Sequence, residues 1–330
     1  MAKKNNDNCK FKTSIGGQAL IEGILMRGPY KQSMVCRKPD GTFATEVEEL
    51  TVTKEKYPIL GWPFIRGGHM LVSSMKNGMK AITWSAEFLP EEDQEEPGKF
   101  DLWLEKKFGA EKAEKAVMSI AVVLGLLLSV GLFFMLPAFL FELLPDSIGL
   151  IGRCILEGII RIVIFMLYLW FATRMKEIKR LFQYHGAEHK SIFCYEAGLP
   201  LTVENVRKQS RFHPRCGTSF LVVVMIISIF VISIMTWVLS LFPAIEALPG
   251  IATALIRMCC KLILLPFIVG ITYEINRWVG RSDSRIADII AWPGKMTQRI
   301  TTGEPDDGMI EVAIEALKLV IPEEEGADRW

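Results

Sequence analysis

The sequence predicts a mainly α-helical, polytopic membrane protein. It has four transmembrane helices and a cytoplasmic α+β portion that includes a small N-terminal hairpin. Three observations predict this class. The 330-residue chain is 50% hydrophobic, and its apolar residues concentrate in four long runs. Lysine and arginine cluster on one side of those runs. The stretches before the first run and after the last one are polar enough to lie in water.

The four apolar runs are each long enough to cross a bilayer, which takes about 20 residues in a helix. They lie at about 117–144, 148–173, 218–242 and 251–273. A soluble protein can bury one such helix, but four in one chain are typical of a membrane protein.

The orientation of the spans follows from the basic residues at their ends. The connections FELLPDSIG and FPAIEALPG contain no lysine or arginine, whereas TRMKEIKR and RKQSRFHPR on the opposite side are strongly basic. Basic loops stay in the cytoplasm, so we predict a cytoplasmic-membrane protein with both termini inside. The predicted segments are a cytoplasmic N-terminal segment 1–112, a transmembrane hairpin 113–173, a cytoplasmic loop 174–217, a second hairpin 218–273 and cytoplasmic C-terminal helices 274–330.

The polar ends of the chain carry their own local signals. The stretch MVCRKPDGTFATEVEEL predicts a β-hairpin with Pro-Asp-Gly in its turn. HMLVSSMKNGMKAITWSAEFL predicts an amphipathic helix against the membrane or the bundle, and PEEDQEEPGKFD an acidic linker. SDSRIADIIAW and DDGMIEVAIEALKLVI predict short helices, the second begun by Asp306 and Asp307.

Charge and cysteine usage exclude two classes of protein. A net charge of +1 without a basic stripe argues against nucleic-acid binding. The seven cysteines are scattered, odd in number and without a CxxC pair, which argues against a disulfide framework and fits a reducing compartment. The expected partner is the lipid bilayer, and a second copy or another membrane protein stays open.

Two of the spans carry charges. Spacings of four place Arg153, Glu157 and Arg161 on one helix face and Arg257 and Lys261 on another. We expect Glu157 and Arg161 to pair inside the bundle. They are either a structural ion pair or part of a polar conduit or substrate contact.

The stretch YHGAEHKSIFCYEAG holds the most specific chemical signal. His185 and His189 project from one face of a helix, close enough for both to bind one tetrahedral zinc ion. Glu188 precedes the second histidine, and its carboxylate is expected to hold or deprotonate a metal-bound water. The pattern His-x-x-Glu-His is the inverted form of the zinc-protease helix motif.

A catalytic zinc needs a third protein ligand. His213 and Cys216 follow in FHPRCGTS, immediately before the third span. If the second and third spans pack together, both pairs of residues meet at the cytoplasmic membrane surface. We predict His213 as the third ligand and Cys216 as a ligand or a neighbour. Three protein ligands would leave a position for water and give a catalytic site, whereas four would give a structural site. A hydrogen-bonded cluster without metal is the third alternative.

The stretch GGQALIEGILMRGP contains only two charged side chains, Glu22 and Arg27. Its glycine spacing does not fit a dinucleotide-binding loop. Either an ion pair docks this segment on the bundle, or Glu22 is a further metal ligand and Arg27 binds an anion.

Four blocks together resemble the YqhQ family of bacterial membrane proteins. They are GGQALIEGILMRGP, YHGAEHKSIFCYEAG, HPRCGTSF and RITTGEPDDGMIEVAIEAL. The resemblance covers nearly the whole chain. It implies an integral membrane protein of a family sometimes labelled a predicted metal-dependent enzyme, without a proven reaction.

We therefore predict a zinc-dependent hydrolase at the inner leaflet, acting on a lipid, a lipid-linked group or a membrane peptide. Cysteine with histidine favours zinc, but iron, copper or another divalent metal stays possible. A scaffold or assembly factor with a structural metal is one alternative. A transporter that uses the charges inside the spans is the other, although four spans without a pair of broken helices favour it less.

Overall fold

The computed structural model describes residues 10–50, 57–89, 109–142, 148–248 and 250–329, together with residues 98, 103, 106 and 107. The acidic linker predicted at 90–101, apart from Gly98, lies outside these residues, as do residues 143–147 of the first connection. The described residues up to 89 and from 169 onward form one compact unit, and those between 90 and 168 form another.

A four-stranded antiparallel sheet occupies the N-terminal part of the first unit. Its strands follow chain order, as β1 (Gly16–Leu20), β2 (Gly23–Arg27), β3 (Lys31–Arg37) and β4 (Phe43–Glu49). The hairpin predicted around Pro-Asp-Gly is confirmed as β3–β4, with Gly41 in the turn at φ +84°. The glycine-rich stretch before it forms a second hairpin, β1–β2, which the sequence did not predict because glycine obscures strand alternation.

Helices make up most of the remaining described chain. They are α1 (Ile65–Ala86), α2 (Ala110–Val130), α3 (Leu136–Glu142), α4 (Leu150–Ala172), α5 (Lys176–Glu196), α6 (Val203–Arg207), α7 (Gly217–Ser240), α8 (Pro243–Glu246), α9 (Gly250–Arg281), α10 (Arg285–Thr301) and α11 (Asp307–Val320). A short 3₁₀ turn at Pro58–Gly61 precedes α1, and a π-helical stretch at Gly131–Met135 joins α2 to α3. Asp306 caps α11, as its position predicted, by accepting a hydrogen bond from the Met309 amide at 2.8 Å.

Four of these helices are long and apolar enough to cross a membrane. Their apolar windows are Ala116–Phe133, Gly152–Ala172, Gly217–Ser240 and Leu255–Arg281. The mainly α class with four long apolar helices and a small N-terminal sheet is therefore confirmed, and the protein is a multi-pass membrane protein. The direction in which the chain crosses the membrane stays a prediction.

The sheet is covered on both faces. On one face Ile24, Met26 and Val35 pack against Tyr184 of α5 and Leu317 of α11. The opposite face, with Leu20, Leu25 and Met34, packs against Ala81 of α1. Burying both faces of the sheet fixes β1 against α5, the helix that carries the two histidines.

Two spans and one short helix form the other half of this unit. Ile232 and Met235 of α7 pack against Ile268 of α9. At the end of α9, Val279 packs against Ala287 and Ala291 of α10. As a result α10 runs back along the start of α7 and ends at Thr301 beside α5.

Candidate metal centre

The two histidines of α5 lie side by side, as their spacing predicted. The ring centroids of His185 and His189 are 4.4 Å apart. His189 is 1% exposed. Since the helix fixes this spacing, the pair forms one wall of a possible metal site.

Cys216 is the third donor that the fold brings to this pair. One donor atom from each of His185, His189 and Cys216 lies within 4.8 Å of the other two. The Cys216 sulfur is 3.2 Å from Nε2 of His185 and is also within 3.1 Å of the Thr218 hydroxyl. Cys216 is the N-cap of α7, so it stands where the third span begins.

The other ring nitrogen of each histidine is engaged by the backbone. Nδ1 of His185 lies 2.8 Å from the Thr301 carbonyl oxygen, and Nδ1 of His189 lies 2.5 Å from that of Arg211. A carbonyl oxygen can only accept, so each Nδ1 carries the proton. Nε2 is therefore the nitrogen left for a metal in each ring, as in metal-ligating histidines whose Nδ1 is held by a second partner.

The electrostatics of the three donors favour a thiolate. Burial raises the pKa of the Cys216 thiol, but the charges and hydrogen bonds of His185 and His189 outweigh it and hold that pKa well below its usual range. Burial lowers the pKa of His185, but the Cys216 charge, its hydrogen bond and the Glu188 charge raise it to about 9. A thiolate is the form of cysteine that binds metals.

Glu188 lies beside the three donors and is held by the glycine-rich strand. Its Oε1 accepts a hydrogen bond from the backbone N–H of Gly17 at 3.0 Å. A side chain at Gly17 would collide with Leu25 and press on Glu188, so glycine is required for this approach. Burial raises the pKa of Glu188, while the charges of His189 and His185 lower it.

His213, which we predicted as the third ligand, has different partners. Its Nδ1 accepts from the Arg215 backbone N–H at 3.3 Å. Its Nε2 lies 3.3 Å from the Arg215 guanidinium and 3.7 Å from Glu196. Its ring centroid is 5.5 Å from that of His189. The structure thus puts Cys216 with the two histidines and leaves His213 beside them.

A buried network holds His213 in that position. Glu196 pairs with Arg215 and accepts from the Thr13 backbone N–H at 2.8 Å. Burial lowers the pKa of His213 to about 4, because the Arg215 and His189 charges add to it and the Glu196 contact only partly offsets it. His213 is therefore neutral at physiological pH.

Residues outside the predicted motifs complete the site. Gln298 of α10 is fully buried and accepts from the His213 backbone N–H at 2.8 Å. Its amide donates to the His213 carbonyl at 2.7 Å and to the Ser219 hydroxyl at 2.8 Å. No sequence pattern marks Gln298 or the Thr301 carbonyl, because a lone glutamine or a backbone carbonyl leaves no motif.

A polar cavity of about 140 Å³ opens onto the donors. Its walls come from the start of β1, from α5 and from the turn before α7. The lining residues are Ser14, Ile15, Gly16, Gly17, His185, Glu188, His189, Ile192, His213, Arg215, Cys216 and Gly217. This volume accommodates several waters or a small reacting group next to the donors.

The two accessory candidates lie away from the three donors. The Glu22 carboxylate is bound by both Arg180 nitrogens and by the Tyr184 hydroxyl at 3.1 Å. Glu22 thus docks the β1–β2 turn on α5. Its ion pair is with Arg180 of that helix and not with Arg27. Arg27 ends β2 on the opposite face of the sheet from α5.

The charged residues inside the spans do not belong to the group of three donors. Arg161 donates to Glu157 at 2.9 Å, and both side chains are buried. Nε of Arg161 also donates to the Phe133 carbonyl, in the π-helical stretch, at 2.9 Å. Arg153 of α4 and Arg257 and Lys261 of α9 are half-buried. The pair and its carbonyl partner satisfy one another, as expected for charges in a membrane span.

Comparison with known proteins gives a family without an assigned reaction. Residues 62–323 match the family described as "Protein of unknown function (DUF1385)". The chain is 31% identical over 318 residues to a Bacillus subtilis (strain 168) protein described as "Uncharacterized protein YqhQ", a match that covers 93% of this chain and 92% of that protein. No solved structure matches the chain. The matched region includes all three donors.

Proposed function

The chain belongs to the YqhQ (DUF1385) family, whose description assigns no activity, and from the site itself we propose that it is a metal-dependent hydrolase at the membrane surface. The proposed ligands are His185, His189 and Cys216, and zinc is the favoured ion. Glu188 is the proposed general base. The proposed location is the cytoplasmic face of a bacterial cytoplasmic membrane.

One observation carries this proposal. The backbone carbonyls of Thr301 and Arg211 hold Nδ1 of both imidazoles, so Nε2 of each ring is the nitrogen left to bind a metal beside the Cys216 sulfur. Two imidazoles and a thiolate are a donor set that zinc prefers.

The protein groups around the donors suit hydrolysis. A zinc ion with three protein ligands keeps one position for water, lowers the pKa of that water to about 7 and polarises a carbonyl or phosphoryl oxygen. Glu188 is held toward the cavity by the Gly17 amide and can accept a proton there. Burial raises the pKa of Glu188, which brings this carboxylate closer to the range in which a base both takes and returns a proton.

The position of the donors supports a substrate that resides in the membrane. Cys216 immediately precedes the span Gly217–Ser240. The cavity therefore lies at the level where lipid headgroups begin. A lipid, a lipid-linked group or a membrane peptide can reach this level by diffusion within the bilayer.

A scaffold with a structural metal is the competing function, and the position of His213 favours it. A small rotation of that ring toward His189 would supply a fourth ligand and close the site. The contacts of His213 with Glu196 and Arg215 oppose this rotation.

Metal analysis of the purified full-length protein tests both functions. We expect about one metal ion per chain, lost in His189→Ala and Cys216→Ser. The matched controls, His69→Ala in α1 and Cys259→Ser in α9, should keep it. Cobalt substitution should give a thiolate-to-cobalt absorption band that the Cys216→Ser variant lacks.

Hydrolysis of chromogenic ester and phosphoester substrates then separates enzyme from scaffold. Glu188→Gln should retain the metal and lose activity by about 10²–10⁴-fold, the usual contribution of a general base. Glu204→Gln, an exposed glutamate of α6, is the control. A wild type without metal, or a Glu188→Gln variant with full activity, would refute the proposal.

A further inference from the structure

Arg27 carries a half-buried guanidinium. This group has no hydrogen bond or ion pair with any residue in the described ranges. Burial lowers its pKa, and the charge of nearby Tyr273 acts in the opposite direction. A charge held partly out of water without a partner is costly, which makes an external anion a natural occupant.

Open space lies on the face of the sheet that carries Arg27, opposite the face that packs on α5. Arg27 pairs with Gly16 across β1 and β2, so both residues face the same side of the sheet. Gly16 has no side chain, and no atom lies within 4 Å of where its Cβ would stand. Gly16 also lines the cavity that contains the three donors. Gly16 begins β1, an edge strand, so a ligand that extends from the cavity to Arg27 would pass around the start of this strand.

A second arginine faces the same region from α9. Tyr273, Arg277 and Gly280 lie on one side of this helix, at spacings of four and three. Tyr273 packs against Gly67 of α1, and Gly280 packs against the side chain of Arg215, which lines the cavity. Arg277 lies between these two contacts and is half-buried.

The acid next to Arg277 is already bound. Glu274 forms a two-point ion pair with Arg66, whose Nε lies 2.6 Å from Oε1. The Arg277 guanidinium has no ion pair or hydrogen bond within the part of the chain that the structure describes. Arg281 follows one turn later. This region thus holds several guanidinium groups around one neutralised carboxylate.

Arg277 lies where a span ends. Arg277 is in the last turns of the span Leu255–Arg281. The exposed aromatic residues Trp62 and Phe64 stand at the start of α1, and the Phe64 carbonyl touches Gly270 of the same span. Exposed tryptophan and basic pockets beside spans are typical of the headgroup layer.

We propose that Arg27 and Arg277 bind the phosphate of an anionic phospholipid, and that lipids of this class are the substrates of the adjacent metal centre. The anion site stands on its own contacts, and only the second clause rests on the proposed function. In this arrangement the acyl chains stay in the bilayer beside α9. The bond to be hydrolysed reaches past Gly16 to the donors.

Lipid binding by the full-length protein in detergent micelles tests the proposal. The probes are fluorescent phosphatidylglycerol and fluorescent phosphatidylcholine, each with and without millimolar inorganic phosphate. We expect the wild type to prefer phosphatidylglycerol. Arg27→Gln and Arg277→Gln should each weaken that binding by about 10- to 150-fold, since a hydrogen bond to a charged group contributes about 1.5–3 kcal/mol. The control is Arg299→Gln, an exposed arginine of α10, which should bind like the wild type.

Each alternative result is decisive. An equal loss of phosphatidylglycerol binding in all three variants would mean a general attraction between charges. Unchanged binding in Arg27→Gln and Arg277→Gln would refute the proposed anion site. Full competition by inorganic phosphate would assign the site to free phosphate instead of a lipid. Arg27 lies in β2 and Arg277 lies in α9. If one of the two variants misfolds, the other still tests the site.

Metal content of the same samples distinguishes the two proposals. Arginine-dependent lipid binding in a protein without metal would refute the hydrolase and the substrate assignment while supporting the anion site. A metal-loaded protein without lipid preference would refute the anion site and the substrate assignment and would leave the hydrolase proposal standing.

Discussion

Gln298 is expected to hold the turn that presents Cys216, and Gln298→Met tests this role. Methionine has nearly the volume of glutamine, so the change removes hydrogen bonds without opening a large cavity. It deletes three bonds and leaves the buried N–H and C=O of His213 without partners. Each unpaired group costs about 1–3 kcal/mol, so the free energy of unfolding should fall by about 2–6 kcal/mol.

The same substitution should weaken metal binding. Residues that orient ligands typically contribute 10–100-fold to metal affinity, and Gln298 fixes the backbone three residues before Cys216. We would measure unfolding by chemical denaturation in micelles and metal affinity by competition with a chelator. Gln209→Met is the matched control, because Gln209 is half-buried and makes one bond to the Asn205 carbonyl at 3.2 Å. If both variants lose less than about 1 kcal/mol and bind metal equally, the reasoning about Gln298 is wrong.

Three further predictions concern packing, pH and the membrane. Gly186→Ala should destabilise the fold by about 3 kcal/mol, because its methyl would overlap a carbonyl oxygen of the loop after α10. Gly68→Ala, in open space on α1, should stabilise the fold by about 1 kcal/mol. Similar melting curves for Gly186→Ala and Gly68→Ala would contradict this difference. His213 has a pKa of about 4 when folded and 6.5 when unfolded. The free energy of unfolding should therefore be highest above pH 6.5 and should fall by about 3 kcal/mol as the pH drops toward 4. His213→Asn should reduce this fall when unfolding is measured at several pH values. Glu157→Gln should cost about 3–5 kcal/mol in thermal unfolding, because Arg161 loses its buried partner, and a wild-type melting temperature would count against it.

Local sequence predicted much of the architecture. Long apolar runs, the Pro-Asp-Gly turn and the Asp306 cap each depend on neighbouring residues, and the structure confirms all three. The pairing of the two histidines across one helical turn also follows from local geometry. The β1–β2 hairpin was missed, because its glycines serve close contacts with Glu188 and Cys36, which only the folded chain reveals.

The relative positions of the candidate ligands depend on tertiary structure. His213 and Cys216 are close in sequence, and spacing alone could not separate their roles. The Gln298 network and the Glu196–Arg215 pair turn His213 toward Arg215, and the start of α7 turns Cys216 toward His185.

The sequence by itself determined that this is a multi-pass membrane protein with two histidines on one helical face, because apolar length and helical periodicity are properties of continuous stretches. Only the tertiary structure decided which distant groups meet those histidines. The Thr301 and Arg211 carbonyls that orient the rings come from segments folded onto α5, and no pattern within a single stretch specifies where a backbone carbonyl will point.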